Sequence, residues 1–182
     1  MKRSARAATA AAGTLLLVAA VGCGAGNGKV SAADVRSYVA AVEKVRLPVN
    51  SLLNGADPIL DAYHDHKITP AQASRRMGDL EAQFASFTLK MQEIEPSNSQ
   101  LKAINAPYAQ TYFYEDSYLS TLASDLNEGD FDNLPNTQDA QRLAIIVWRT
   151  KLELIAARSG VILPPDLQQA GRGEIAPAPS GS

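Results

Sequence analysis

The chain carries one cysteine, Cys23, in 182 residues, which excludes an intramolecular disulfide framework, a cysteine-rich zinc site and a haem held through two cysteines. It carries two histidines, His64 and His66, too few for a di-iron centre built from paired Glu-x-x-His helices. Basic charge is not in excess either. The net charge is −2 and the pI about 5.7, without the clustered Lys and Arg that neutralise phosphates, so no nucleic acid partner is expected. Gly-x-Ser-x-Gly, P-loop and dinucleotide fingerprints are absent, as are strand-like alternation and a repeat at solenoid periods. What is present is a globular composition, 46% apolar and 20% charged, of a length that suits a single domain of roughly 100 to 200 residues.

Near the start, Lys2, Arg3 and Arg6 precede an uncharged stretch of Ala, Leu and Val from Ala7 to Val21, interrupted only by Thr9, Gly13 and Thr14, and then broken by Gly22, Cys23, Gly24 and Gly26. That run is shorter than the roughly 20 apolar residues of a spanning helix and has the layout of a secretory signal. Ala20-Val21-Gly22-Cys23 resembles the lipobox of bacterial lipoproteins, although Ala20 stands where that family most often has Leu. The resemblance covers residues 1–23 alone. It implies a signal peptide over 1–22, acylation of Cys23 by chains such as palmitate, and an extracytoplasmic domain held at the cell membrane by its lipid. Without Lys2, Arg3 and Arg6 the chain has 14 basic against 19 acidic residues, a net of −5, so an anionic bilayer would not attract it. The hold would come from acyl chains, about 0.8 kcal/mol per buried methylene.

Beyond the tether, residues 23–30, apolar residues recur at spacings of three and four. The first set is Val35, Tyr38, Val42, Val45, Val49, Leu52, Ala56, Ile59 and Tyr63, with Ser31 and Asp34 as a capping start and bends expected at Pro48 and at Gly55 to Pro58. Thr69 to Gln72 is a capping box ahead of Ala73, Met77, Leu80, Phe84, Phe87, Met91 and Ile94. Ser97 to Gln100 offers a second box before Leu101, Ile104, Tyr108, Tyr112, Glu115, Leu119, Leu122 and Leu126, ending near Gly129. The last helix starts near Asn136 to Asp139, carries Ala140, Leu143, Val147, Thr150, Leu154, Ala157 and Val161 on its core arc, and ends at Gly160. Short connections make successive helices antiparallel. The expectation is an all-α, up-down-up-down four-helix bundle over 31–163, with a kinked first helix, a flexible N-terminal tether and a disordered tail over 164–182 rich in Gly and Pro.

Three sets of residues invite a functional reading. Asp61, His64 and His66 stand at helical and near-helical spacing in one interhelix turn, where a carboxylate and imidazoles would share a metal ion, or simply be solvated turn residues. Glu115 falls on an apolar stripe beside Tyr108 and Tyr112, and would line a ligand site in the bundle interior, form an ion pair with Arg149, Arg75, Arg76 or Lys151, or lean to the surface. The final helix carries a second apolar stripe, Ile145, Trp148, Leu152 and Ile155, which would be an exposed partner surface centred on Trp148 or part of the core. No cofactor is called for. The leading reading is a membrane-anchored, extracytoplasmic helical binding or interaction module, not an enzyme, with an envelope protein as partner. The alternative is a lipoprotein that binds a small ligand or metal near Glu115 or at the Asp61 to His66 turn.

Overall fold

The computed structural model of the chain describes residues 28–168 and 174–179. The signal-like segment, Cys23 and most of the tether lie outside the described residues. Those described form helices α1 (Ala32–Leu53), α2 (Ala56–His64), α3 (Pro70–Gln92), α4 (Ser99–Glu128), α5 (Gln138–Arg158) and the short α6 (Pro165–Gln168), with no strand among them.

Capping chemistry places the helix starts. Ser31 accepts from the backbone N–H of Asp34 and receives its carboxylate in return, and Thr69 and Gln72 do the same ahead of Pro70. The cap of α4 sits one residue later than the sequence suggests, because the side chain of Asn98 accepts from Gln100 N–H while Ser97 donates to Asp34 across the fold. Gly129 and Gly160, both left-handed, end α4 and α5. The end of α2 needs the same conformation without a glycine. His66 takes φ of 56°, its N–H donates to the Tyr63 carbonyl, and that of Lys67 donates to Ala62 at 2.8 Å, which is the Schellman arrangement.

The continuity of α1 through Pro48 follows from exposure: Pro48 and Lys44, whose carbonyl loses its helical partner, both lie on the solvent side. Pro107 and Ala103 repeat this in α4. The chain breaks instead at Asn54 and Gly55, and the buried set shifts there from the stripe read in the sequence. Leu53 and Leu60 are core residues, while Leu52, Ile59 and Tyr63 pack at its edge.

Contacts give the directions. Gln92 of α3 donates to the Ala109 carbonyl of α4, and Phe84 stacks on Tyr112, so α3 and α4 run antiparallel. Gln141 of α5 reaches Glu115 while Trp148 lies on Tyr108, so α4 and α5 are antiparallel as well. Ser159 donates to the carbonyl of Val30 and Trp148 to Tyr38, setting α5 against α1. Buried residues of all these helices, with Leu163, Leu167 and Ala176 from the C-terminal part, form one apolar core.

Two expectations are corrected. On α5 the apolar arc Leu143, Val147 and Leu154 faces outward, and Ile145, Trp148, Leu152 and Ile155 are buried. The reason is polar. Gln141 and Arg149 share the inner face, and their partners lie inside, so a reading that counts only apolar residues selects the wrong side. The described parts of the tail, read as disordered from Pro164, dock instead: Leu167, Glu174 and Ala176 are all buried.

Candidate functional site

At the centre of the core, the indole N–H of Trp148 donates to the Tyr38 hydroxyl at 2.8 Å, Tyr38 donates to Asn105 at 3.0 Å, and the Asn105 amide donates to the Ile94 carbonyl at 3.1 Å. This chain ties α5, α1, α4 and the end of α3 through groups that would each cost about 1–3 kcal/mol if left buried and unpaired. Tyr108 stacks on the face of Trp148, with ring centroids 3.8 Å apart and planes 8° from parallel. Trp148 is therefore a core anchor. The proposal that it centres an exposed partner surface with Ile145, Leu152 and Ile155 does not survive this placement, since the residues needed at the surface are inside.

Tyr108, Tyr112 and Glu115 do come together, as successive turns of α4 require. What fills the space beside them is the chain's own C-terminal segment. Glu174 places Oε2 2.8 Å from the Tyr108 hydroxyl, which donates to it, and Oε1 2.7 Å from Nη2 of Arg149. Nη1 of Arg46 lies 3.6 Å from the same Oε1, and Arg46 also pairs with Glu43 and with Asp166. Two buried guanidiniums from the first and last long helices thus converge on one carboxylate. Removing one partner from such a buried cluster costs about 3–5 kcal/mol, because the opposite charge remains desolvated.

Two residues on, the segment is gripped by its backbone. The N–H of Ala176 donates to Oε1 of Glu115 at 2.7 Å, and its carbonyl accepts from the Gln138 amide at 3.0 Å. The Pro177 carbonyl accepts from the Tyr118 hydroxyl at 3.1 Å. Glu115 receives a second hydrogen bond from Gln141, whose amide also donates to the Thr111 carbonyl. The cation expected beside Glu115 is not its partner: Arg149 serves Glu174, and Arg75, Arg76 and Lys151 are exposed. Burial raises the Glu115 carboxyl to about 7 against the pull of its two hydrogen bonds, and burial likewise raises the Tyr108 hydroxyl far above its ordinary value.

The histidine turn assembles nothing comparable. His64 is half-buried against the edge of Tyr63, while Asp61 and His66 are exposed, and the left-handed backbone of His66 sends the chain away from α2. Among the described residues no three His, Cys, Asp or Glu side chains are grouped as a metal site would need, so Asp61, His64 and His66 are not brought together as ligands.

Sequence reasoning missed Arg46, Gln138, Gln141 and Glu174. Arg46 sits one residue off a valine stripe, and Glu174 stands in a Gly and Pro context that carries no periodic signal. Comparison with family models, curated proteins and solved structures finds no match to this chain. No helix among the described residues is long and apolar enough to cross a membrane.

Proposed function

We propose that this chain is a non-enzymatic interaction module, a four-helix bundle of up-down-up-down topology in which α1 and α2 make up a kinked first leg, held on the outer face of a bacterial membrane by acylation of Cys23. The observation that carries the interaction reading is the outer face of α5. Leu143 is 63% exposed and Leu154 53%, with Ile146, Val147 and Thr150 exposed between them, on a helix whose other face already serves the core. An apolar stripe of three turns, rimmed by charge, is the pattern of a surface that meets another helix.

The occupant that fits is a second copy of the same helix, antiparallel about a two-fold axis near residue 148. In that register Leu143 meets Leu154, and on one flank Arg142 meets Glu153, twice by symmetry. The metal reading has no gathered ligand set behind it, and a small ligand near Glu115 would have to displace residues 174–179. Sedimentation of the full chain tests the self-pairing. The paired change Leu143→Ser and Leu154→Ser should leave the melting temperature nearly unaltered and weaken association by about tenfold or more. A wild-type chain that stays monomeric, or a variant that associates as well as wild type, removes this surface from the proposal.

A further inference from the structure

Residues 174–179, Glu-Ile-Ala-Pro-Ala-Pro, are bound by the rest of the chain in the way a peptide is bound by a receptor. One carboxylate is read by Arg149 and Tyr108 with Arg46 close by, and one backbone N–H is read by Glu115. Two backbone carbonyls are read by Gln138 and Tyr118. Tyr108, Glu115, Tyr118, Arg46 and Arg149 are each more than nine-tenths buried. Ala176 fits at 2% exposure, so a larger side chain is excluded there, whereas Ala178 points to solvent. The ligand is also stiffened by its own sequence. Ala176 and Ala178 each precede a proline, which biases both toward extended backbone and lowers the entropy lost on docking.

We propose that the cleft between α1, α4 and α5 is a recognition site for an extended peptide of the form Glu-x-Ala-Pro-x-Pro supplied by a partner protein, with residues 174–179 occupying it in cis as a resident ligand. The site shares no residue with the outer face of α5, so the two proposals stand or fall separately. The cis segment competes at an effective concentration of about millimolar, as short linkers give, and a free peptide gains entry when the cis contacts are weakened.

The test uses the full chain in detergent and a fluorescent peptide with the sequence of residues 174–179, followed by anisotropy. Two tail variants weaken the resident ligand without touching the receptor side: Glu174→Ala removes the carboxylate, and Ala176→Pro removes the N–H that reaches Glu115 and puts a ring where the cleft takes only a methyl. Both should bind the peptide at least about tenfold more tightly than wild type does. The peptide carrying Glu174→Gln should lose about tenfold or more against the same variants. If both variants stay folded and bind no peptide at about millimolar concentration, the segment is a seam of the core and the proposal falls. If both lose cooperative unfolding and the peptide does not restore it, the same conclusion holds; restoration by added peptide supports the site. A wild-type dimer lost in both variants, with no binding of free peptide, would assign the cleft to tail exchange between copies and overturn the partner.

Discussion

At the scale of single residues, Glu115 is the group whose chemistry is most altered by its surroundings. Its carboxyl titrates near 7 in the folded chain against an ordinary 4.5, because burial disfavours the charged form. The folded state then holds a proton that the unfolded state has released between those two values, so this group makes the fold less stable as pH rises from about 4.5 to about 7 and contributes a constant penalty above. The full difference is of the order of 3 kcal/mol by linkage. Glu115→Gln should remove that slope. In urea denaturation the variant's stability should gain on wild type across this window and run parallel to it above pH 7; equal slopes for the two chains would show that Glu115 is charged throughout. Tyr108 belongs to the same neighbourhood but stays neutral at every pH in that range, since burial pushes its hydroxyl upward.

Among the elements, the end of α2 holds a correctable strain. His66 adopts the left-handed conformation that glycine takes at Gly129 and Gly160, and a side chain there costs about 1 kcal/mol. His66→Gly should therefore stabilise the fold by about 1 kcal/mol, and His66→Ala should not, as read by the urea midpoint at unchanged slope. A loss of stability in His66→Gly would mean that the imidazole makes a contact worth more than the strain. The same comparison of elements explains what was legible in the sequence. The core faces of α3 and α4 follow the three-and-four spacing almost residue for residue, because one face of each is apolar and the other is not. The α5 sequence offers two apolar faces, and the choice between them is made by Gln141, Trp148 and Arg149, whose polar atoms find partners only inside. The residues that define the cleft were legible only on its α4 side, where Tyr108, Tyr112 and Glu115 share a stripe. Its other half depends on contacts 61 to 66 residues apart, between Glu115 and Ala176 and between Tyr108 and Glu174, which no local pattern encodes.

For the whole molecule the governing question is attachment. Every described core residue lies at Val30 or beyond, so the fold and the anchor should be separable. In cells given a labelled fatty acid, Cys23→Ala should abolish acyl labelling while the purified variant keeps the helical circular dichroism and melting temperature of wild type. Labelling that survives the substitution would end the lipoprotein reading without touching the all-helical fold.

The entry point of the chain would also set which way an anchored molecule stands. Asn98 donates to the carbonyl of Gly28, and Ser159 donates to that of Val30, so the chain joins the packed helices beside the start of α4 and the end of α5. From Cys23 to Gly28 the backbone spans at most about 18 Å. A molecule hung from Cys23 would therefore rest with this end toward the lipid and the turns near His66 and Phe131 raised furthest from it. The C-terminal segment climbs the same axis, from Glu174 level with Tyr108 to Pro177 level with Tyr118, one helix-third nearer the far end. In a molecule so hung, Pro177 to Pro179 would stand further from the bilayer than Glu174, and an approaching protein would meet them first and peel them from the top.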